Sequence, residues 1–363
     1  MKRKLLIIIL ILFSLQLLFR IYQYKDNYLT KFDPGYWNTR YLHSQWVVPN
    51  SKESIGDDGL YAHAAWEYIH GKDPSLLNAE IPPFGKYLIG LTEIIFLNQN
   101  IFGLLTGIFV LISFYVLNKM IFKDTLLAII PIILLASDPL FYGQLKAPYL
   151  DLLYLGLLLM TFIFIYKEKF LFANILLGLM MATKASSATF ILVIITTIGY
   201  QLYMKDYQYI KKFLIYIPIS IITFLLTYAQ YFLLGHNLKE FLGLQKWIVT
   251  FYRSGAKGDP SAVWHIIMTG NWPNWFGPVQ KVAEWNLLWP LSLIAVIYYF
   301  YKVLPRHRQY RSILLGFWII IYLLFLSIVP VWPRYLLMVL PFMYNLLVWV
   351  LSKNMPRLLR RYR

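Results

Sequence analysis

Residues 1–19 read MKRKLLIIILILFSLQLLF, a basic start followed by an apolar run with no small-residue cleavage site. Such a run is expected to stay as a membrane span rather than leave as a signal peptide. The basic start places the N-terminus in the cytoplasm, so the polar stretch 24–83 falls on the external face. The same chemistry recurs along the chain. Of 363 residues, 59% are hydrophobic, 18% aromatic and only 14% charged, too little polar surface to cover a soluble globule of this size. The expectation is an all-α polytopic membrane protein with one membrane domain over 1–363.

The 34 Lys and Arg against 17 Asp and Glu give a net charge of +17, and the excess lies in short clusters between apolar runs. That is the distribution of cytoplasmic loops, and it makes nucleic-acid binding a poor reading. There is no cysteine, hence no disulfide, thiol nucleophile or thiolate metal site. Lys353, Arg357, Arg360, Arg361 and Arg363 mark a cytoplasmic tail, and Lys302, Arg306, Arg308 and Arg311 a second cytoplasmic cluster. Working backwards from them orients spans at 335–352, 313–329, 286–301, 213–234, 187–204, 170–183, 148–165, 125–137 and 101–118, about ten with the first. Segment 84–97 is left over, at about 14 residues too short for the roughly 20 that a crossing needs. It reads as a juxtamembrane or re-entrant helix, and 235–283 as an external loop rich in Trp and Gly. No internal repeat or inverted symmetry is visible, which weakens a transporter reading.

This orientation gathers Asp57, Asp58, Glu80, Lys86, Lys146, Asp151, Lys184 and Arg334 at the external membrane boundary. Ionisable groups at that depth are costly and mark sites by default. Cations facing carboxylates there suit a lipid-linked phosphate, the cations holding the phosphate and a carboxylate acting as base.

Gly56-Asp57-Asp58-Gly59-Leu60-Tyr61-Ala62 followed by Glu80-Ile81-Pro82-Pro83-Phe84-Gly85-Lys86 resembles the first external loop of the protein O-mannosyltransferases, with its acidic pair and Pro-Pro-Leu-Gly-Lys-like element. That family belongs to the GT-C glycosyltransferases, which also include oligosaccharyltransferases and the lipid A aminoarabinose transferases. Ser137-Asp138-Pro139, Lys146 through Leu150-Asp151, Thr183-Lys184 and Arg334-Tyr335 continue the likeness, which is good over 50–190 and weak beyond. Asp58 stands where Glu is usual, Ile81 where His often precedes the prolines, and Lys146 where Arg is usual. The resemblance implies a GT-C-like bundle and a polyprenyl-phosphate-sugar-dependent glycosyltransferase. It implies Asp57 and Asp58 as catalytic, and Lys146, Lys184, Arg334 and Lys86 at the donor phosphate. The donor is a polyprenyl-phosphate-linked sugar in the membrane lipid; the acceptor, a protein, lipid or glycan, is left open, and no cofactor is called for.

Plainer roles exist for each residue. Asp58 is an acceptable N-cap for a helix over 59–70 ended by Gly71, although capping does not account for two adjacent carboxylates. Pro82-Pro83 starts a helix, which positions Lys86. Lys146, Lys184 and Arg334 are each explicable as snorkelling side chains, and Asp151 as their ion-pair partner. Glu80, Asp151, His63 and His265 are supporting or substrate-contacting candidates. His63, Glu67 and His70 share a helix face at metal-ligand spacing, but an amphipathic stripe gives the same pattern and no metal is expected. Trp247, Trp264, Trp272, Trp275, Trp285 and Trp289 suit an interfacial belt or sugar stacking, and Gly255, Gly258, Gly270, Gly277, Pro260 and Pro273 an irregular cover. A transporter or flippase for a lipid-linked or anionic solute, and a non-catalytic assembly subunit, remain as rivals.

Overall fold

The computed structural model describes residues 2–254, 258–304 and 312–361. Gly255, Arg306, Arg308, Arg311 and Arg363, named above, lie outside the described residues. The fold is an all-α polytopic membrane bundle, the one sheet among the described residues being the two-residue antiparallel pair Asn271–Trp272 and Gln280–Lys281. Among the described residues, three helical runs are long and apolar enough to cross a bilayer: Ile101–Ile121, Ser186–Met204 and Tyr207–Leu226. Shorter apolar helices are Ile7–Gln23, Thr125–Ser137, Asp151–Tyr166, Phe170–Met181, Leu288–Lys302 and Ser312–Leu326, and the last helix is Leu340–Arg361.

One expected span is displaced. Instead of 213–234, the helical run starts at Tyr207, where the Asp206 side chain accepts from the Tyr209 N–H, and a separate short helix Ala229–Leu233 follows Leu226. Polar Lys211 and Lys212 suggested a later start, but a capped first turn tolerates them on its exposed side. The expected span 335–352 likewise opens as a 3₁₀ turn, Pro333–Met338, before the α-helix begins at Leu340.

Helix Asp151–Tyr166 is the core element, with Leu152, Leu155, Leu158, Leu159, Phe162 and Ile165 wholly buried. It packs between Ile101–Ile121 and Phe170–Met181. Hydrophobicity does not distinguish helix from lipid, so close approach through small residues matters instead. At Gly103 a Cβ would lie 2.5 Å from the Ala147 carbonyl and 2.6 Å from that of Leu145, so only glycine lets segment 144–147 lie down on this helix. Asp138 fixes the preceding turn. Its carboxylate accepts from the Leu140 N–H (2.8 Å), Trp289 Nε1 (2.7 Å), Asn286 Nδ2 (3.1 Å) and the Tyr344 hydroxyl, so this buried anion is fully engaged in joining three parts of the chain.

The loops are more ordered than Gly and Pro content suggested. Segment 235–283 contains the 17-residue helix Leu238–Ser254 and the helix Ala262–Thr269. Phe241, Leu244 and Ile248 recur at helical spacing and turn inward, a period that outweighs the tryptophans and glycines by which the segment reads as irregular.

Candidate active site

Helix Asp57–Ile69 begins before the expected 59–70, with Gly56 as its N-cap and no side chain capping it. Asp58 is therefore not the cap. Both carboxylates sit in the first turn, at the positive end of the helix dipole, and are left free to face other groups. Asp57 accepts an ion-paired hydrogen bond from Arg334 Nη2. Asp58 has no hydrogen bond or ion pair among the described residues.

A second pair lies beside the first. Asp151 opens its helix, and its Oδ1 accepts from Lys184 Nζ at 2.7 Å, the two side chains being 4% and 13% exposed. The pairs form one field, in which the charge of Arg334 acts on Asp151 and Lys184, and that of Asp57 on Lys184. Tyrosines rim it: the Lys184 ammonium lies 5.2 Å from the Tyr335 ring centre and the Arg334 guanidinium 5.9 Å from that of Tyr149. The chain reaches these places by abrupt turns, Lys184 being followed by Ala185 in the left-handed region (φ +50°) and Arg334 standing second in the 3₁₀ turn Pro333–Met338. Two buried polar atoms in this field lack a partner among the described residues, Arg334 Nε and Asp151 Oδ2.

Glu80 flanks the cluster. It is buried, accepts from Asn78 Nδ2 at 2.5 Å, and its backbone carbonyl accepts from the Tyr252 hydroxyl at 3.4 Å. Burial raises the Glu80 carboxyl above the ordinary value, against the pull of Lys86, and Asp57 adds to the rise. Lys86 itself is fully buried inside the loop rather than facing the cluster. Its ammonium donates to the carbonyls of Asn78 and Ile81, both at 2.7 Å, and to the Tyr68 hydroxyl at 3.0 Å. It braces the turn before Pro82-Pro83, and helix Phe84–Ile95 follows those prolines directly.

The remaining candidates are not gathered here. Lys146 is exposed, its ammonium 5.9 Å from the centre of the Tyr24 ring. His63 is buried against the Tyr41 ring at 4.8 Å, burial holding its imidazole below the ordinary value. Its two helix-face companions are engaged elsewhere, Glu67 with Lys72 and His70 with the Trp66 carbonyl. His265 is exposed on helix Ala262–Thr269. Trp272 and Trp275 join Phe276 and Trp332 in an aromatic group, with ring centres of Trp272 and Trp332 4.9 Å apart, and the Trp332 ring lies 5.9 Å from the Arg334 guanidinium. Sequence reading did not single out Tyr149, Tyr252 and Trp332, although Tyr149 and Trp332 each stand two residues from a charged member of the cluster.

The fold is similar to that of a solved membrane protein, ArnT. The solved structures it resembles include ArnT from Cupriavidus metallidurans bound to undecaprenyl phosphate, at 16% identity and a TM-score of 0.65, over 84% of this chain and 57% of that one. The apo state of the same ArnT matches at 15% identity and a TM-score of 0.62, over 85% and 57%. The chain thus spans little more than half the length of the ArnT chains it matches. No family model and no curated protein matches the sequence.

Proposed function

We propose that the protein transfers a sugar from a polyprenyl-phosphate donor to an acceptor at the external membrane face, its N- and C-termini lying in the cytoplasm. The observation that carries this reading is the doubled ion pair Asp57–Arg334 and Asp151–Lys184 with a buried, unmet N–H on half-buried Arg334. Two cations and an unsatisfied donor suit a phosphate, and the ArnT-like fold, solved in that protein with undecaprenyl phosphate, supports the lipid.

In the reaction the acceptor hydroxyl oxygen bonds to the anomeric carbon while the bond from that carbon to the phosphate oxygen breaks. The hydroxyl proton passes to Asp57, and polyprenyl phosphate leaves. Arg334 and Lys184 stabilise the charge that grows on the leaving phosphate. As donor phosphate enters, it competes for Arg334 and releases the Asp57 carboxylate to accept the proton. A single displacement inverts the anomeric centre. Asp58 neighbours the base, Glu80 supports the loop behind it, and Asp151 orients Lys184.

Lipid-linked sugar profiling of membranes with and without the protein tests this. Accumulation of one polyprenyl-phosphate sugar on deletion, together with its consumption by the purified protein in nanodiscs, is expected. Movement of the donor across a vesicle membrane with no transfer would instead make the protein a transporter.

A further inference from the structure

A second group of cations lies away from these pairs, where the first helix meets the turn before Asp151. Helix Lys2–Gln23 carries Arg20 in its last turn, and the guanidinium sits 3.9 Å from the centre of the Tyr142 ring. Four residues after Tyr142, Lys146 places its ammonium 5.9 Å from the ring of Tyr24, which is four residues after Arg20. Each strand of chain thus gives the other a cation and receives a ring. Tyr24 also feels the charges of both Arg20 and Tyr142, so the group is continuous. The seam is fastened on either side of it: Gln16 Nε2 donates to Ser137 Oγ at 2.8 Å, and the Tyr28 hydroxyl to the Leu145 carbonyl at 3.0 Å.

What the seam lacks is an anion. No carboxylate among the described residues pairs with Arg20 or Lys146. Arg20 Nη1 donates to Gln23 Oε1 at 2.8 Å, but among the described residues its buried Nε has no acceptor and Lys146 has no hydrogen-bond partner. Neither cation has a counter-charge among the described residues, and the buried Nε N–H is left without the acceptor it needs. Both are relieved by one anion with several oxygens. Phosphate fits, since guanidinium and ammonium each donate to it. Its carrier is a lipid, because the same helix turns a lipid-facing surface outward up to this level: Leu18 is 61% exposed, Phe19 55% and Tyr22 64%.

The geometry points to a lipid-phosphate site formed by Arg20 and Lys146 between the rings of Tyr24 and Tyr142, separate from the Asp57–Arg334 cluster. It binds the head of a membrane lipid, either the monoester of a polyprenyl phosphate or the diester of an anionic phospholipid. Binding here is independent of sugar transfer, so the site stands whether or not the proposed reaction does.

The test is local. Lys25→Cys in this cysteine-free chain, labelled with a trifluoromethyl group, puts a fluorine reporter beside Tyr24 in the full-length protein in neutral-lipid nanodiscs. Undecaprenyl phosphate, phosphatidylglycerol and inorganic phosphate are titrated separately. A saturable shift with a lipid phosphate, weakened about ten- to a hundredfold by Arg20→Gln with Lys146→Gln and retained by Arg20→Lys, is expected from loss of charge-assisted bonds. Preference for undecaprenyl phosphate identifies the monoester, and equal response to phosphatidylglycerol a bulk-lipid site. A response to inorganic phosphate alone would overturn the lipid assignment, as would no shift with any probe. If the double variant does not fold, exposed Lys146→Gln alone must weaken binding, and unchanged affinity in it refutes the site.

Discussion

Lys184→Ala asks whether the buried Lys184–Asp151 pair serves the fold or the phosphate. Removing the ammonium leaves Asp151 3% exposed with neither oxygen satisfied by a side chain, since Oδ2 already lacks a partner. Breaking a buried pair from one side costs about 3–5 kcal/mol. Arg334 acts on the same carboxylate, so the loss should fall at the lower end, about 3 kcal/mol. Replacing both charges with apolar side chains of similar size, Lys184→Met with Asp151→Leu, removes the orphaned anion. Such swaps are neutral or stabilising by about 1–4 kcal/mol, so the double variant should recover its stability. Donor use should not recover: a charge-assisted contact to phosphate contributes about 1.5–3 kcal/mol, roughly ten- to a hundredfold in transfer. Unfolding in detergent and transfer in nanodiscs, measured on the same preparations, separate the two effects. Native stability with wild-type donor use in the double variant would refute a phosphate role for Lys184.

Asp57→Asn should lower transfer by about 10²–10⁴-fold while leaving donor binding intact, and the pair Asp57→Asn with Asp58→Asn tests whether the neighbour substitutes; full turnover by that pair would end the general-base assignment. Single cysteines at 57, 184 and 260 should label from outside intact cells and one at 123 only after lysis, the reverse pattern inverting the topology. His236 bonds Asp73 at 2.5 Å and Glu240 at 3.3 Å, which raises its pKa above 6.5. A raised folded value means the clasp is complete below pH 6.5 and is lost as pH rises through that higher value, so hydrogen exchange in helix Leu238–Ser254 should quicken with pH beyond intrinsic rates in the wild type but not in His236→Ala. Lys86→Met should destabilise the protein by about 1–3 kcal/mol, as leaving buried neutral acceptors unpaired does, with donor affinity per folded molecule unchanged.

Apolar runs and basic punctuation made the helical bundle legible, because lipid imposes its rule on each span separately. The acidic pair was legible too, as two adjacent carboxylates exceed what one cap needs. Lys86 was not: its partners Tyr68, Asn78 and Ile81 meet only once the loop folds back. Lys146 was grouped with Lys184 and Arg334 by its depth in the membrane, and depth says nothing about position around the bundle. Helix Leu238–Ser254 was hidden by attention to tryptophan and glycine, although Phe241, Leu244 and Ile248 carried its period.

The helices that lead into Asp138 and Lys184, Thr125–Ser137 and Phe170–Met181, have 13 and 12 residues. At 1.5 Å per residue they are about 18–20 Å long, against a hydrocarbon layer of about 30 Å. Lipid around them must thin or its head groups must sink, at fractions of a kcal/mol for each ångström. If these two helices cross at their own length, the bilayer would be dented beside the ion pairs. Under the proposed function, an isoprenoid anchor resting there would bring its phosphate down to the charges, and a long-chained substrate would meet the site without being drawn out of the oil.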